Sequence, residues 1–107
     1  MAWARIVAEC EGYPITIQGL LDGGKLKSGM AYFGFHGNIK DSYPFILLPD
    51  GRIDYGCEFD PVLYRFSQTD IHGIRIELGN KFSINEHDDD TGGREYNTYV
   101  IKQIVGI

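Results

Sequence analysis

A chain of 107 residues with 43% hydrophobic and 23% charged side chains has the composition of one globular domain and too much apolar content for disorder. Its 15 acidic side chains against 10 Lys and Arg leave a net charge of −5, which argues against duplex nucleic acid and anionic membranes, because polyanions are held by summed cationic contacts. Seven Tyr, six Phe and 14 Gly favour strands and tight turns over helices.

Along the chain the apolar residues recur with period two. Ala4, Ile6, Ala8 and Cys10 share one face of a first strand, with Arg5, Val7 and Glu9 on the other. Arg5 and Glu9 also interrupt the N-terminal apolar residues, so no signal peptide is expected there. The longest apolar run, residues 45–48, is far too short for a membrane span. A cytoplasmic location with no membrane partner is therefore expected, and with it reduced thiols at Cys10 and Cys57. Gly12 breaks the first strand; Tyr13, Ile15 and Ile17 resume on a second, which ends in the Gly-rich loop 21–25. Residues 30–36 carry Tyr32 on one face and Phe33 and Phe35 on the other, the pattern of a central strand buried on both sides.

The turn Leu48-Pro49-Asp50-Gly51-Arg52 has Pro and Asp where a type I turn takes them and Gly at the left-handed position that follows. A three-residue loop pairs Leu48 with Arg52, which places Phe45, Leu47, Ile53 and Tyr55 on one face. Asp60 and Pro61 suit a helix start, yet Val62, Tyr64 and Phe66 alternate; a strand is expected there, with one short helical turn as the alternative. Ile74, Ile76 and Leu78 alternate, as do Phe82 and Ile84. An odd loop, residues 79–81, aligns the two sets and predicts a hairpin. A last hairpin joins residues 82–86 to a long β-branched strand, 96–105, through the acidic segment 88–93. One edge of that last strand needs another partner: the N-terminal strand, closing a barrel, or a second copy of the chain, making a homodimer. The expected fold is all-β: a single domain over residues 1–107, a small barrel or sandwich of about eight mostly antiparallel strands.

No pattern of catalytic residues stands out. The acidic segment Asp88-Asp89-Asp90-Thr91-Gly92 lacks the spacing of a calcium loop. His36, His72 and His87 have no local ligand spacing. Neither cysteine sits in a redox or nucleophile motif. No cofactor, metal or catalytic residue is therefore assigned.

Three functional readings remain. The first is a non-catalytic protein-binding module of the inhibitor or immunity type. Its acidic loops, with Asp88, Asp89, Asp90 and Glu95 foremost and a second acidic group at Asp50, Asp54, Glu58 and Asp60, would face a basic partner. The second is single-stranded nucleic-acid binding by the aromatic strand through Tyr32, Phe33 and Phe35. The third is a small-molecule or enzymatic site in a barrel mouth, suggested by the surplus of Tyr.

Overall fold

The computed structural model describes residues 1–38, 40–57, 65–87 and 93–107. Among them are nine strands: β1 (Ala2–Cys10), β2 (Tyr13–Asp22), β3 (Lys25–Leu26), β4 (Tyr32–Gly37), β5 (Ser42–Leu47), β6 (Arg52–Asp54), β7 (Phe66–Thr69), β8 (Lys81–His87) and β9 (Arg94–Gly106), with one 3-10 turn, Ile71–Gly73. The sheet runs β1-β9-β8-β7-β6-β5-β4-β2, and β2 pairs back onto β1, so eight antiparallel strands close into a barrel. The two-residue β3 is an extra strand on the far end of β2. Closure settles barrel against sandwich. It comes from the edge identified in the sequence: β9 pairs with β8 on one side and with β1 on the other. The edge on which a second copy would pair is thus taken by β1.

Closure works because six of the eight barrel strands supply an apolar face. Ile6 and Ala8, Ile15 and Ile17, Phe45 and Leu47, Ile53, Phe82 and Ile84, and Tyr99 and Ile101 all point inward and are buried. An eight-stranded barrel has an interior wide enough for side chains alone. The hairpin at 48–51 forms as the turn chemistry requires. Leu48 N–H donates to the Arg52 carbonyl and Gly51 N–H to the Leu48 carbonyl. Gly51 takes φ +91°, which an L residue with a Cβ resists. Leu47 stands opposite Ile53, and Tyr55 packs half-buried on the same core.

Four segments depart from the sequence reading, each for a physical reason. Residues 74–78 form no strand. Ile71, in the 3-10 turn, and Ile76 turn into the core and plug one end of the barrel, with Leu78 left 66% exposed. The backbone is held by Ile76 N–H donating to the Gly24 carbonyl and Gly79 N–H to the Ile101 carbonyl. Strand β8 instead pairs with β7 and β9. In β7 the inward residues are Ser67 and Thr69, so hydrophobic period does not mark it. Residues 62 and 64, where a strand was expected to run into Phe66, and Asp60 and Pro61 lie outside the described residues.

The long strand β9 changes its inward parity. A register shift opposite Val7 and Ala8 moves the core positions from Tyr99 and Ile101 to Ile104, as an inserted bulge residue does. Finally, β4 is buried on one side only. Tyr32 and His36 are inside, whereas Phe33 is 48% exposed on the outer face. Between them Gly34 faces Phe45, and a Cβ there would sit 2.6 Å from the Phe45 ring and 2.7 Å from the Thr16 carbonyl oxygen. Among the described residues no helix is long and apolar enough to cross a membrane.

Candidate functional site

The barrel interior is apolar for most of its length and turns polar at one end. The inward alternation of β8 runs Phe82, Ile84, Glu86; that of β9, read backwards, runs Ile101, Tyr99, Asn97, Glu95. Strand β4 ends its inward series on His36, and Tyr55 follows Ile53 just beyond β6. Ser67 of β7 and Cys10 of β1 complete the same layer. At the opposite end the inward positions are Leu26, Tyr32, Ile71 and Ile76, all buried.

His36 is only 5% exposed. Its Nε2 lies 2.9 Å from the Tyr55 hydroxyl. Its ring centroid is 5.2 Å from that of Phe45, 6.3 Å from Tyr99, and 6.3 Å from Tyr13, which stacks on it. Burial lowers its pKa to about 4, so the imidazole is neutral near pH 7. Burial likewise pushes Tyr55 up to about 12. Tyr99 is raised well above the ordinary phenol range by burial and by its hydrogen bond to Glu86. The Glu86 carboxylate accepts from both sides: Tyr99 Oη–H donates to Oε1 at 2.7 Å and Asn97 Nδ2–H to Oε2 at 2.5 Å. Its charge also raises the Tyr13 phenol, after burial and Tyr43, and the Cys10 thiol, after burial and Glu11.

These directions decide what the layer can do. Three phenols and a thiol are held in their protonated forms, and the histidine is held neutral. None is poised to exchange a proton near pH 7, which general acid–base catalysis requires, and the thiol is not an activated nucleophile. What remains is a carboxylate with hydrogen-bond donors behind it and aromatic rings around it, an arrangement suited to binding.

Of the sequence-assigned residues, Glu95 lies at this end. It pairs directly with Glu86 across β8 and β9, and directly opposed residues share a face. Asp88, Asp89 and Asp90 lie outside the described residues, in the segment between those two strands. Of the second acidic group, Asp50 and Asp54 are each paired with an arginine. Asp50 pairs with Arg52 at 2.8 Å, and Asp54 takes a two-pronged contact from Arg65 at 2.8 and 3.1 Å. These contacts hold both carboxyls below the usual range. Glu58 and Asp60 lie outside the described residues. His36 and His72 are at opposite ends of the barrel, His72 bonding the Leu48 carbonyl, and among the described residues no three His, Cys, Asp or Glu converge as a metal site. Tyr32 is buried, with its hydroxyl donating to the Lys27 carbonyl at 2.6 Å, so Phe33 and Phe35 are what the aromatic strand presents outward.

Sequence reasoning passed over the arrangement of His36, Tyr55, Glu86, Asn97 and Tyr99. The available signal was positional: each polar residue sits two places beyond an apolar one in a clean alternation. No protein-family model, no curated protein and no solved structure matches the chain.

Proposed function

We propose that the barrel is a non-catalytic protein-binding module, of the inhibitor or immunity type, that presents its polar end to a basic partner. The observation that carries this reading is the Glu86–Glu95 pair. Like charges set directly across an antiparallel ladder are destabilising, and among the described residues no Lys or Arg pairs with either carboxylate. Asp41, in the β4–β5 connection, and Glu11, in the β1–β2 turn, belong to the same end, and the sequence puts three further Asp between the two glutamate-bearing strands. Such a field steers a cationic partner and fixes its orientation more than it adds affinity. The perturbed groups of the layer, held out of proton exchange, favour binding over catalysis. A cytoplasmic setting suits this reading, since Cys10 and Cys57 are both free thiols and such thiols persist in reducing compartments.

The test is capture of partners from extract with the wild-type chain and with Asp88, Asp89 and Asp90 changed to Asn and Glu95 to Gln, followed by affinity measurement on the purified partner. The expected partner is basic, its affinity falls as salt rises, and the four changes weaken it at least about tenfold. An unchanged set of partners, or an acidic one, overturns the reading.

A further inference from the structure

On the outer wall of the barrel, β7, β8 and β9 lie side by side and turn polar side chains outward. Register sets Gln68 beside Asn85 and Asn85 beside Tyr96 in one row, with Ser83 beside Thr98 in the next outward row; residues opposed across a ladder share a face. A groove of about 310 Å³ opens on this wall, lined by Gln68, Thr69, Asp70, Ser83 and Tyr96. Its lining is held in place by bonds within the protein. Gln68 Nε2–H donates to the Asp50 carbonyl, Asp70 Oδ1 accepts from Ser83 N–H at 2.8 Å, and Thr69 Oγ1–H donates to the Ser83 carbonyl at 2.7 Å. Gln68 Oε1 and Asp70 Oδ2 are left over as acceptors.

The residue in the middle of the first row supplies a second, independent observation. Asn85 Oδ1 is sealed from solvent with no hydrogen-bond partner, the one such side-chain atom among the described residues. The Asn85 backbone carbonyl is satisfied by Arg94 Nη1 at 3.3 Å, so the strand is bonded where its side chain is not. A buried acceptor without a partner costs stability and is rare in folded proteins. Its neighbour Tyr96 is 76% exposed, an aromatic ring held out in water. Neither feature benefits the fold. A ligand that makes use of both needs hydroxyl donors on one edge and a C–H face for the ring. An anion would meet the carboxylate and spare acceptors, and a wholly apolar ligand would leave those acceptors unpaired.

We propose that this groove binds one ring of a neutral saccharide. The C–H face of the sugar stacks on Tyr96, its adjacent hydroxyls donate to Asp70 and Gln68, and one hydroxyl supplies the donor that Asn85 Oδ1 lacks. The exposed Tyr96 side chain turns aside to admit that hydroxyl, a motion fast for a surface residue. The groove is at the small end of ligand sites, which suits a single ring. The site does not rest on the basic-partner reading of the acidic end.

The test titrates the methyl glycosides of glucose, galactose, mannose and N-acetylglucosamine, and a trisaccharide of each, into the full chain, followed by amide NMR shifts. Glycerol, with hydroxyls and no ring, is the control. At least one glycoside is expected to shift Gln68, Asp70, Ser83, Asn85 and Tyr96 with a millimolar Kd, as a ligand of about a dozen heavy atoms allows. A trisaccharide that binds like its glycoside points to a free sugar, and one that binds about tenfold tighter points to a glycan chain; both support the site. Tyr96→Ala is expected to weaken binding about tenfold, with Tyr96→Phe keeping most of it. Asn85→Val is expected to weaken binding while leaving the urea midpoint of unfolding unchanged or higher, since it removes an unpaired acceptor; a residue serving only the fold would lower the midpoint and leave binding alone. The proposal is overturned if no glycoside shifts these residues at about 50 mM, if glycerol shifts them equally, or if Tyr96→Ala and Asn85→Val both bind as the wild type does.

Discussion

Acidification from about pH 7.5 to pH 5 should destabilise the fold through His36. In the folded barrel its pKa is about 4, against 6.5 for the free side chain, so the unfolded chain takes up a proton at pH values where the folded one does not. Stability contributed by this group is complete above 6.5, declines as pH falls below it, and levels off once pH passes about 4. At about 1.4 kcal/mol per pKa unit the whole effect is about 3 kcal/mol, of which about 2 kcal/mol is gone by pH 5. The other shifts in hand act elsewhere. Asp50 and Asp54 are held below 3.8 and begin to cost stability only near and below that value. Urea unfolding followed by tyrosine and tryptophan fluorescence at about pH 7.5, 6 and 5 measures the slope. His36→Phe keeps an aromatic ring against Phe45 and Tyr99 and removes the titrating group, so its stability should be flat by comparison over the same range. An equal slope in wild type and His36→Phe would refute the burial argument, since the proton uptake would then belong to another group.

Three further predictions concern packing. Leu47→Ala should cost about 2–5 kcal/mol in urea unfolding, the range for a fully buried Leu; a loss under about 1 kcal/mol would contradict its place in the core. Gly34→Ala should cost about 1–3 kcal/mol by overpacking, because its Cβ meets the Phe45 ring and a backbone carbonyl; a neutral result would mean that β4 can move away from β5. Removing residues 100–107 strips β9 of its pairing with β1 and should yield aggregated chain, read by light scattering; a soluble, cooperatively unfolding product would show that closure on β1 is dispensable.

The barrel was legible where two independent signals agreed. At 48–52 the turn residues and the parity of Phe45, Leu47, Ile53 and Tyr55 demand the same register, and that register forms. At 74–82 there was parity alone, and it misled. Ile76 is buried because it plugs the barrel end, not because it belongs to a ladder, and Leu78 continues the alternation by accident on the outside. Strand β7 was hidden for the converse reason, since Ser67 and Thr69 face inward without apolar character. The bulge in β9 is invisible to periodicity because both of its faces carry β-branched residues. Glu95 was singled out as one of a run of acids, but its weight comes from the residue across the ladder, and register places Glu86 there. The polar layer could not be assembled from sequence because its members come from six segments spread between Cys10 and Tyr99 and meet only when the barrel closes.

The two ends of the barrel answer the same problem differently, and the contrast bears on function. Each end must finish an interior that is apolar at its middle. One end does so with Leu26, Ile71 and Ile76 and with Tyr32, whose hydroxyl is tied to the Lys27 carbonyl, so burial is gained and no charge is brought near the core. The other end has strands of the same kind and the same inward positions available, yet it fills them with His36, Glu86, Asn97 and the hydroxyls of Tyr55 and Tyr99. Stability alone favours the first solution, because a buried or half-buried polar group contributes little net even when it is hydrogen-bonded and costs when it is not. Local violations of core packing concentrate where a protein binds or reacts. Glu86 and Glu95 stand directly opposite one another across the ladder at this end, and among the described residues no Lys or Arg forms an ion pair with either. Under the proposed reading, a cation provided by another molecule would satisfy this end of the barrel as the apolar plug satisfies the other.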